Sequence, residues 1–329
     1  MVKGMIIKEI LKKLPFGRTV ISYIRKKLDK MYHRKNLKIL ENAGEKAPME
    51  ELERRANRYR VLKYYERNVG EAEKYQQELS FLKDAYPDSM RCTTAWQEFK
   101  GNFKQEIETI SYDADREMYY GIRNGRKMYF KKSMSKASAI SYFMGVCYEQ
   151  SEKSAHRYLD DDFTVEAGSI VLDLGAAEGI FGLDNLDKAK ELWLFECDDE
   201  WVEALRYTFE GYNNVKIINK YVSDTEEGNC VKLDYYCDSL KNEKVFVKMD
   251  IEGAEIRALQ GGQKLLQSTG NIKLAVCSYH RQSDYKILCQ MLSGMKVVSS
   301  RGYLLPLFGK IVPPYFRVGV IRASKVSVK

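Results

Sequence analysis

The sequence predicts an α/β fold with a mostly parallel, seven-stranded sheet whose last strand is antiparallel. From residue 138 onward, strand patterns alternate with helical patterns, as in parallel sheets that carry helices on both faces. Residues 295–305 and 315–322 are then predicted as two strands with no helix between them, which indicates an antiparallel closing strand. Apolar residues at helical spacing dominate residues 41–110, so a helical region precedes the sheet.

The predicted elements divide the chain into four segments: a basic amphipathic arm over 1–40, a helical region over 41–110, a β-hairpin connector over 111–137 and an α/β domain over 138–329. The hairpin is predicted because Asn124-Gly125 supplies the positive φ angles of a tight type I′ turn. The polar stretch 224–244 is not expected to hold a full helix. In the α/β domain we expect strands over 169–174, 191–196, 215–222, 245–250 and 272–278, and helices over 138–150, 199–210, 253–267 and 283–293.

The composition is typical of a globular protein with reduced cysteines. A hydrophobic share of 44% and a charged share of 30% in 329 residues argue against wholesale disorder. None of the seven cysteines forms a Cys-x-x-Cys pair, so neither a disulfide framework nor a zinc site is predicted. No metal-ligand set is recognised from residue spacing, although clustered acids leave a metal-assisted mechanism open.

The net charge of +8 comes from the arm over 1–40, which holds twelve Lys or Arg and two acids. Apolar residues recur there at helical spacing beside lysines and arginines, a pattern that suits peripheral contact with an anionic membrane. The alternative is a solvated basic helix. Nucleic acid is not expected as a partner, because no binding motif accompanies the charge. Lysines interrupt the N-terminal apolar stretch and no run reaches the roughly 18 apolar residues of a membrane span, so we expect a cytoplasmic location.

The predicted strand 169–174 leads into a candidate cofactor site. Ligands of open α/β sheets lie outside the carboxyl ends of the strands. Gly175 and Gly179, with the small Ala176, let the backbone turn tightly and approach a ligand. Asp173 can order this loop and can also accept hydrogen bonds from a cationic amino-acid group. Glu196, at the end of the second strand, is placed to accept both hydroxyls of a ribose.

The loop sequence favours S-adenosylmethionine over a dinucleotide as the adenosine-bearing ligand. Dinucleotide binding needs Gly-x-Gly-x-x-Gly, whose helix N–H groups hold a pyrophosphate. Here the pattern is Asp-x-Gly-x-x-x-Gly, and Glu178 would repel a phosphate. A nicotinamide-dependent oxidoreductase is therefore the second hypothesis. Asp224, after the third strand, is predicted either to contact the adenine amino group or to be a simple turn residue.

The candidate catalytic site follows the fourth strand, which delivers Lys248, Asp250 and Glu252 to one strand-to-helix corner. Methyl transfer to a hydroxyl requires alignment of donor and acceptor and a place for the hydroxyl proton. We predict these three residues and His280, at the end of the fifth strand, as catalytic, with Asp250 or His280 as the base. The alternative for Glu252 is a favourable interaction with the helix dipole. His156 could line the cofactor cleft.

Three motifs together resemble the FkbM family of S-adenosylmethionine-dependent methyltransferases. They are Lys248-Met-Asp-Ile-Glu-Gly-Ala-Glu255, Asp173-x-Gly175 upstream of it and Tyr279-His-Arg281 downstream. The resemblance covers about 138–310, and the run 149–158 looks like members associated with bacterial surface polysaccharides. It implies a class I (Rossmann-like) methyltransferase domain over 138–329 and O-methylation of a hydroxyl, often on a sugar. The implied cofactor positions are Asp173, Gly175, Gly179 and Glu196. A non-catalytic scaffold that keeps this fold is the third hypothesis.

Overall fold

The computed structural model describes residues 49–84, 110–152, 154–306 and 312–326. The basic arm over 1–40 and the third predicted helical stripe, over 96–110, lie outside these residues except for Ile110. The described chain belongs to two compact units. The first contains helix α1 (Met49–Arg67), and the second contains the described residues from Gly70 onward.

The second unit holds the sheet and its helices. Its helices are α2 (Val69–Ala72, which begins one residue earlier), α3 (Gln76–Asp84), α4 (Lys136–Glu149), α5 (Ile180–Asn185), α6 (Asp199–Thr208), α7 (Cys237–Leu240), α8 (Glu255–Gln260), α9 (Gln263–Ser268) and α10 (Asp284–Met291). Its strands are β1 (Ser111–Asp113), β2 (Met118–Arg123), β3 (Arg126–Tyr129), β4 (Ser169–Leu174), β5 (Ala189–Phe195), β6 (Val215–Ile218), β7 (Tyr221–Val222), β8 (Cys230–Val231), β9 (Lys244–Met249), β10 (Asn271–Cys277), β11 (Lys296–Ser299) and β12 (Val320–Val326).

The main sheet has seven strands in the order β11-β12-β10-β9-β4-β5-β6. Strands β6, β5, β4, β9 and β10 are parallel to one another, whereas β12 runs antiparallel to both β10 and β11. This arrangement confirms the predicted α/β class I methyltransferase fold with its antiparallel last strand. The strand order reverses between β4 and β9, so their carboxyl ends form the crevice where such sheets bind ligands.

The central strands are buried on both faces because helices cover both sides of the sheet. Alternate residues of β4 and β9 therefore enter two different cores. Val171 and Phe246 pack with α5 and α6 on one face. Leu172 and Val247 pack with α8 and α10 on the other. This double burial fixes the register of the two strands that carry the site.

The predicted hairpin forms between β2 and β3, and β1 adds a third antiparallel strand. Asn124 and Gly125 at its turn have φ angles of +49° and +75°, as the type I′ turn requires. Among the residues that the structure describes, no helix has the length and apolar character needed to cross a membrane.

The last two strands are predicted over 295–305 and 315–322 but observed at Lys296–Ser299 and Val320–Val326. Two other predicted elements are divided in the structure. The helix expected over 253–267 is divided into α8 and α9 at Gly261-Gly262. A Cβ on Gly261 would lie 2.1 Å from the Ser223 carbonyl oxygen, so this close backbone approach requires glycine and interrupts the helix. The strand expected over 215–222 is two short strands, β6 and β7, and β7 pairs with β8 in a separate small sheet.

Candidate active site

The loop after β4 brings the ends of β4 and β9 into direct contact. Gly175 has φ +73°, and a Cβ there would lie 2.0 Å from the Asp250 carbonyl oxygen. The Asp250 N–H donates to the Leu174 carbonyl over 3.1 Å. Gly179, with φ +84°, then starts α5. Glycine is required at 175 both by the left-handed conformation and by the close approach, and it sets Asp250 beside the loop.

Glu196 lies at the rim of a cleft of about 470 Å³ that Gly175, Ala177 and Trp201 also line. Its carboxylate accepts hydrogen bonds from the backbone N–H groups of Ala177 (2.9 Å), Cys197 (2.8 Å) and Asp198 (2.9 Å). A carboxylate has about four acceptor sites. Glu196 can therefore fix the loop geometry and still accept a ribose hydroxyl.

Asp173 and Lys248 form a buried ion pair beneath this loop. The Lys248 Nζ lies 2.9 Å from Asp173 Oδ1, and the Asp173 side chain is fully buried. The same ammonium donates to the Gly175 carbonyl over 2.5 Å. Burial lowers the pKa of Lys248, but the charges of Asp173 and Asp250 outweigh this and raise it above its ordinary value. Through Lys248, Asp173 can order the loop, whereas its other predicted role, accepting from a cationic amino-acid group, stays a prediction.

Asp250 lies where two clefts meet. It lines both the 470 Å³ cleft and a larger one of about 800 Å³. Its Oδ2 accepts a hydrogen bond from the Tyr158 hydroxyl over 2.7 Å and lies 3.4 Å from His156 Nε2, while its Oδ1 lies 3.4 Å from His280 Nε2. Burial raises the pKa of Asp250, but His156, Lys248 and His280 outweigh it and hold that pKa well below its usual range. Asp250 is therefore a carboxylate at neutral pH.

His280 is held on the other side of Asp250 by a buried acid. Its Nδ1 lies 3.1 Å from Glu255 Oε1, which also accepts from the backbone N–H groups of Ile251 (3.0 Å) and Gly253 (3.3 Å). Burial lowers the pKa of His280, but its contacts with Glu255 and Asp250 raise it above the usual value. Glu255 thus positions both the loop after β9 and the His280 ring.

Glu252 projects from this loop into both clefts. Its backbone is left-handed, with φ +54°, which is uncommon for a residue other than glycine. Its side chain is 91% exposed, and Oε2 lies 3.5 Å from His280 Nε2. The loop thus aims a solvent-accessible carboxylate at the same imidazole nitrogen that faces Asp250.

His156 and Glu178 are site residues that the catalytic prediction did not include. The buried His156 lies between Asp250 and Glu149, with Nδ1 3.8 Å from Glu149 Oε2. Glu178 is buried in the larger cleft, where its Oε2 accepts a hydrogen bond from the Tyr142 hydroxyl over 2.8 Å. Burial raises the pKa of Glu178 to about 7. The sequence shows both residues near the first strand, but nothing in it indicates that their side chains are buried.

The two remaining predicted cofactor residues, Ala176 and Asp224, lie in different parts of the structure. Ala176 lines the larger cleft. Asp224 lines neither cleft, and its Oδ1 accepts from the Arg257 guanidinium over 2.8 Å at the surface. Of the two alternatives predicted for Asp224, the structure therefore favours the turn residue over the adenine contact. The pairing partner, Arg257, lies on α8 and could not be recognised from the sequence.

Residues 194–305 match the family model described as the Methyltransferase FkbM domain. This part of the chain is similar to FkbM methyltransferase domains. The match confirms the family resemblance and, with it, S-adenosylmethionine as the cofactor. It includes Glu196, Lys248, Asp250, Glu252 and His280, whereas the loop after β4 and His156 precede it. No curated protein matches the chain.

Solved structures similar to this chain include several methyltransferases. The Methanococcus jannaschii fibrillarin pre-rRNA processing protein is 13% identical over 67% of this chain and 98% of that chain, with a TM-score of 0.39. The precorrin-6y C5,15-methyltransferase of Geobacter metallireducens is 12% identical over 49% and 82%, with a TM-score of 0.34. The Aeropyrum pernix fibrillarin with bound S-adenosyl-L-methionine is 12% identical over 49% and 67%, with a TM-score of 0.33.

Proposed function

We propose that this protein is an S-adenosylmethionine-dependent O-methyltransferase that acts on a sugar hydroxyl, in a bacterial surface polysaccharide or a related glycan. The observation that carries the proposal is the position of Asp250. Its carboxylate borders both the cleft that contains Glu196 and the larger cleft beside it. A group that must meet both the methyl donor and the methyl acceptor belongs at such a junction.

The cofactor fits the smaller cleft through two features of the site. Glu196 offers a carboxylate for the ribose hydroxyls, and the Gly175 loop exposes a backbone that a ligand can approach closely. S-adenosylmethionine supplies an electrophilic methyl group on a sulfonium. Because the Gly175 loop contacts Asp250 directly, a cofactor held by this loop would lie beside that carboxylate.

The side chains around Asp250 suit proton removal from a hydroxyl. The Asp250 carboxylate can accept a hydrogen bond from the acceptor hydroxyl and hold its oxygen toward the cofactor side. A histidine in its neutral form, His156 or His280, then takes the proton, since both rings contact Asp250. Their raised pKa values mean that the neutral form increases with pH, so turnover is expected to rise toward alkaline pH.

The lining of the larger cleft favours a neutral, polyhydroxylated acceptor. Carboxyl groups of Glu149, Glu178, Asp250 and Glu252 face a space where Lys248 is already paired with Asp173. An acceptor rich in phosphate, such as a nucleic acid, would be repelled there. Sugar hydroxyls can instead donate to these carboxylates, and tyrosine rings at the cleft offer faces on which a sugar ring can pack.

The test is methyl transfer by the purified full-length protein from S-adenosylmethionine to a panel of neutral and acidic glycans. Formation of S-adenosylhomocysteine together with one added methyl group on a neutral glycan is the expected result. The Asp250→Asn variant should turn over about 10²-fold more slowly while its affinity for S-adenosylmethionine is unchanged. Binding of the cofactor with no turnover on any glycan would favour the scaffold hypothesis. Oxidation of a substrate coupled to NAD reduction, without S-adenosylmethionine, would support the oxidoreductase.

We further propose a cytoplasmic location with peripheral contact between the arm over 1–40 and the inner face of the membrane. The support is the excess of ten positive charges in the arm, since each basic residue near an anionic surface contributes about 1 kcal/mol. Deletion of residues 1–40 should abolish sedimentation with anionic liposomes. Equal sedimentation of the deleted and full-length proteins would reject this idea.

A further inference from the structure

A buried imidazole nitrogen faces two carboxylates at the junction of the clefts. The His280 side chain is 5% exposed, and its Nε2 has no hydrogen-bond partner. It lies 3.4 Å from Asp250 Oδ1, which is also buried without a hydrogen-bond partner, and 3.5 Å from Glu252 Oε2. A buried polar atom without a partner is costly, so two such atoms facing each other, with the exposed Glu252 carboxylate beside them, indicate a missing occupant.

The orientation of His280 is fixed from behind. Glu255, 1% exposed, lies 3.1 Å from His280 Nδ1 and is itself anchored by two backbone N–H groups. In the neutral ring with its proton on Nδ1, the side that faces Glu255, the Nε2 lone pair is directed toward Asp250 and Glu252. Carboxylate–histidine pairs of this kind orient the histidine ligands of metal ions.

The local charge also favours a cation. Asp250, Glu252 and Glu255 surround one imidazole, and Lys248, which lines the larger cleft, is paired with Asp173. Ligand-type atoms of Asp250, Glu255 and His280 all lie within 4.8 Å of one another. Neighbouring ligands of an octahedral divalent ion are roughly 3 Å apart, given metal–ligand distances of about 2.1 Å. Side-chain movements of a few tenths of an ångström would bring Asp250 and His280 to that spacing.

We propose that Asp250 Oδ1, Glu252 Oε2 and His280 Nε2 bind a divalent cation such as Mn²⁺, with Glu255 as the positioning residue behind His280. Mixed carboxylate and imidazole ligands suit such ions. Asp250 and Glu252 both line the larger cleft, so the free coordination positions face the acceptor. The inference deepens the proposed function and rests on it for its chemical role.

The bound cation would lower the pKa of the acceptor hydroxyl and fix its oxygen beside the cofactor. As the oxygen–methyl bond forms and the methyl–sulfur bond breaks, the hydroxyl proton leaves toward neutral His156, which contacts the other oxygen of Asp250. His280 is then a ligand, and His156 is the proton acceptor.

Mn²⁺ binding to the full-length protein tests the site without donor or acceptor. Electron paramagnetic resonance should show about one tightly bound Mn²⁺ per chain, and Glu252→Gln should weaken binding by about tenfold or more. Because the Glu252 side chain is 91% exposed, this variant keeps the fold. Asp238→Asn, which changes a carboxylate that is 95% exposed and belongs to neither cleft, is the matched control and should bind Mn²⁺ like the unmodified protein.

His280→Gln should lose Mn²⁺ binding as well, and Glu255→Gln should weaken it. Absence of stoichiometric binding, or equal binding by the Glu252→Gln and unmodified proteins, would overturn the proposal. These outcomes are separate from methyl transfer: turnover that is insensitive to EDTA, in a protein that binds no Mn²⁺, rejects the metal site and leaves the proposed function intact. Stoichiometric Mn²⁺ binding without methyl transfer to any glycan supports the metal site and rejects the proposed function.

Discussion

Replacing Gly175 by alanine should destabilise the protein and displace the carboxylate at the junction of the clefts. The structure offers an internal control, because Gly168 has nearly the same backbone conformation, with φ +78° against +73° for Gly175. A Cβ on Gly168 would meet nothing within 4 Å, whereas a Cβ on Gly175 would lie 2.0 Å from the Asp250 carbonyl oxygen. The two variants therefore share the cost of the left-handed conformation and differ only in the steric overlap.

The two contributions can be estimated separately. An L-residue in the left-handed region costs about 1–2 kcal/mol, which is the whole effect expected for Gly168→Ala. Overpacking of a well-packed site adds about 1–3 kcal/mol for Gly175→Ala. Because the overlapping atom belongs to the backbone, the overlap can be relieved only by moving the β9 end. A displacement of about 1 Å at a reacting group can lower turnover by about 10²-fold.

Urea denaturation of the two variants and the unmodified protein measures the free energy of unfolding. We expect Gly175→Ala to be the less stable variant by about 1–3 kcal/mol. Methyl transfer, measured under conditions where both variants are folded, should fall only in Gly175→Ala. Equal unfolding free energies, or normal turnover by Gly175→Ala, would refute the close approach of the Gly175 loop to Asp250.

Three other perturbations test neighbouring parts of the site. Burial raises the pKa of Glu178 to about 7 in the folded protein, so the folded state binds its proton more tightly than the unfolded state, whose pKa lies near 4.5. The stability associated with this proton is complete below about pH 4.5 and is lost as pH rises to about 7. Relative to Glu178→Gln, the free energy of unfolding of the unmodified protein should therefore fall by about 3 kcal/mol over this range. Parallel pH profiles of the unfolding free energies of the two proteins would contradict the raised pKa of Glu178. Lys248→Met leaves Asp173 buried and unpaired, which should lower the free energy of unfolding by about 3–5 kcal/mol. Adding Asp173→Asn should restore part of that free energy. A double variant that is no more stable than Lys248→Met would argue against the ion pair. Asp224→Ala removes only a surface ion pair with Arg257, so S-adenosylmethionine affinity measured by calorimetry should not change, whereas a clear loss would restore Asp224 as an adenine contact.

Most of the fold could be predicted from the sequence because its signals are local. The strand over 169–174 has the predicted bounds in the structure, and the absence of a full helix over 224–244 follows from the polar composition of that stretch. The division between α8 and α9 could not be predicted in the same way. It depends on the approach of Gly261 to the Ser223 carbonyl, a contact between residues distant in the sequence.

The candidate site, like the fold, could be predicted from the sequence only in part. The sequence by itself determined the sheet, the glycine loop, the family resemblance and the acids at the strand ends, since strand periodicity and motif spacing are properties of neighbouring residues. Only the tertiary structure decided that His156 and His280 contact opposite oxygens of Asp250 and that Tyr158, 92 residues away, donates to it. It also decided that Asp173 is paired with Lys248 and that Glu178 is buried. Charge, proton affinity and metal binding depend on neighbours in space, and the folded chain alone brings those neighbours together.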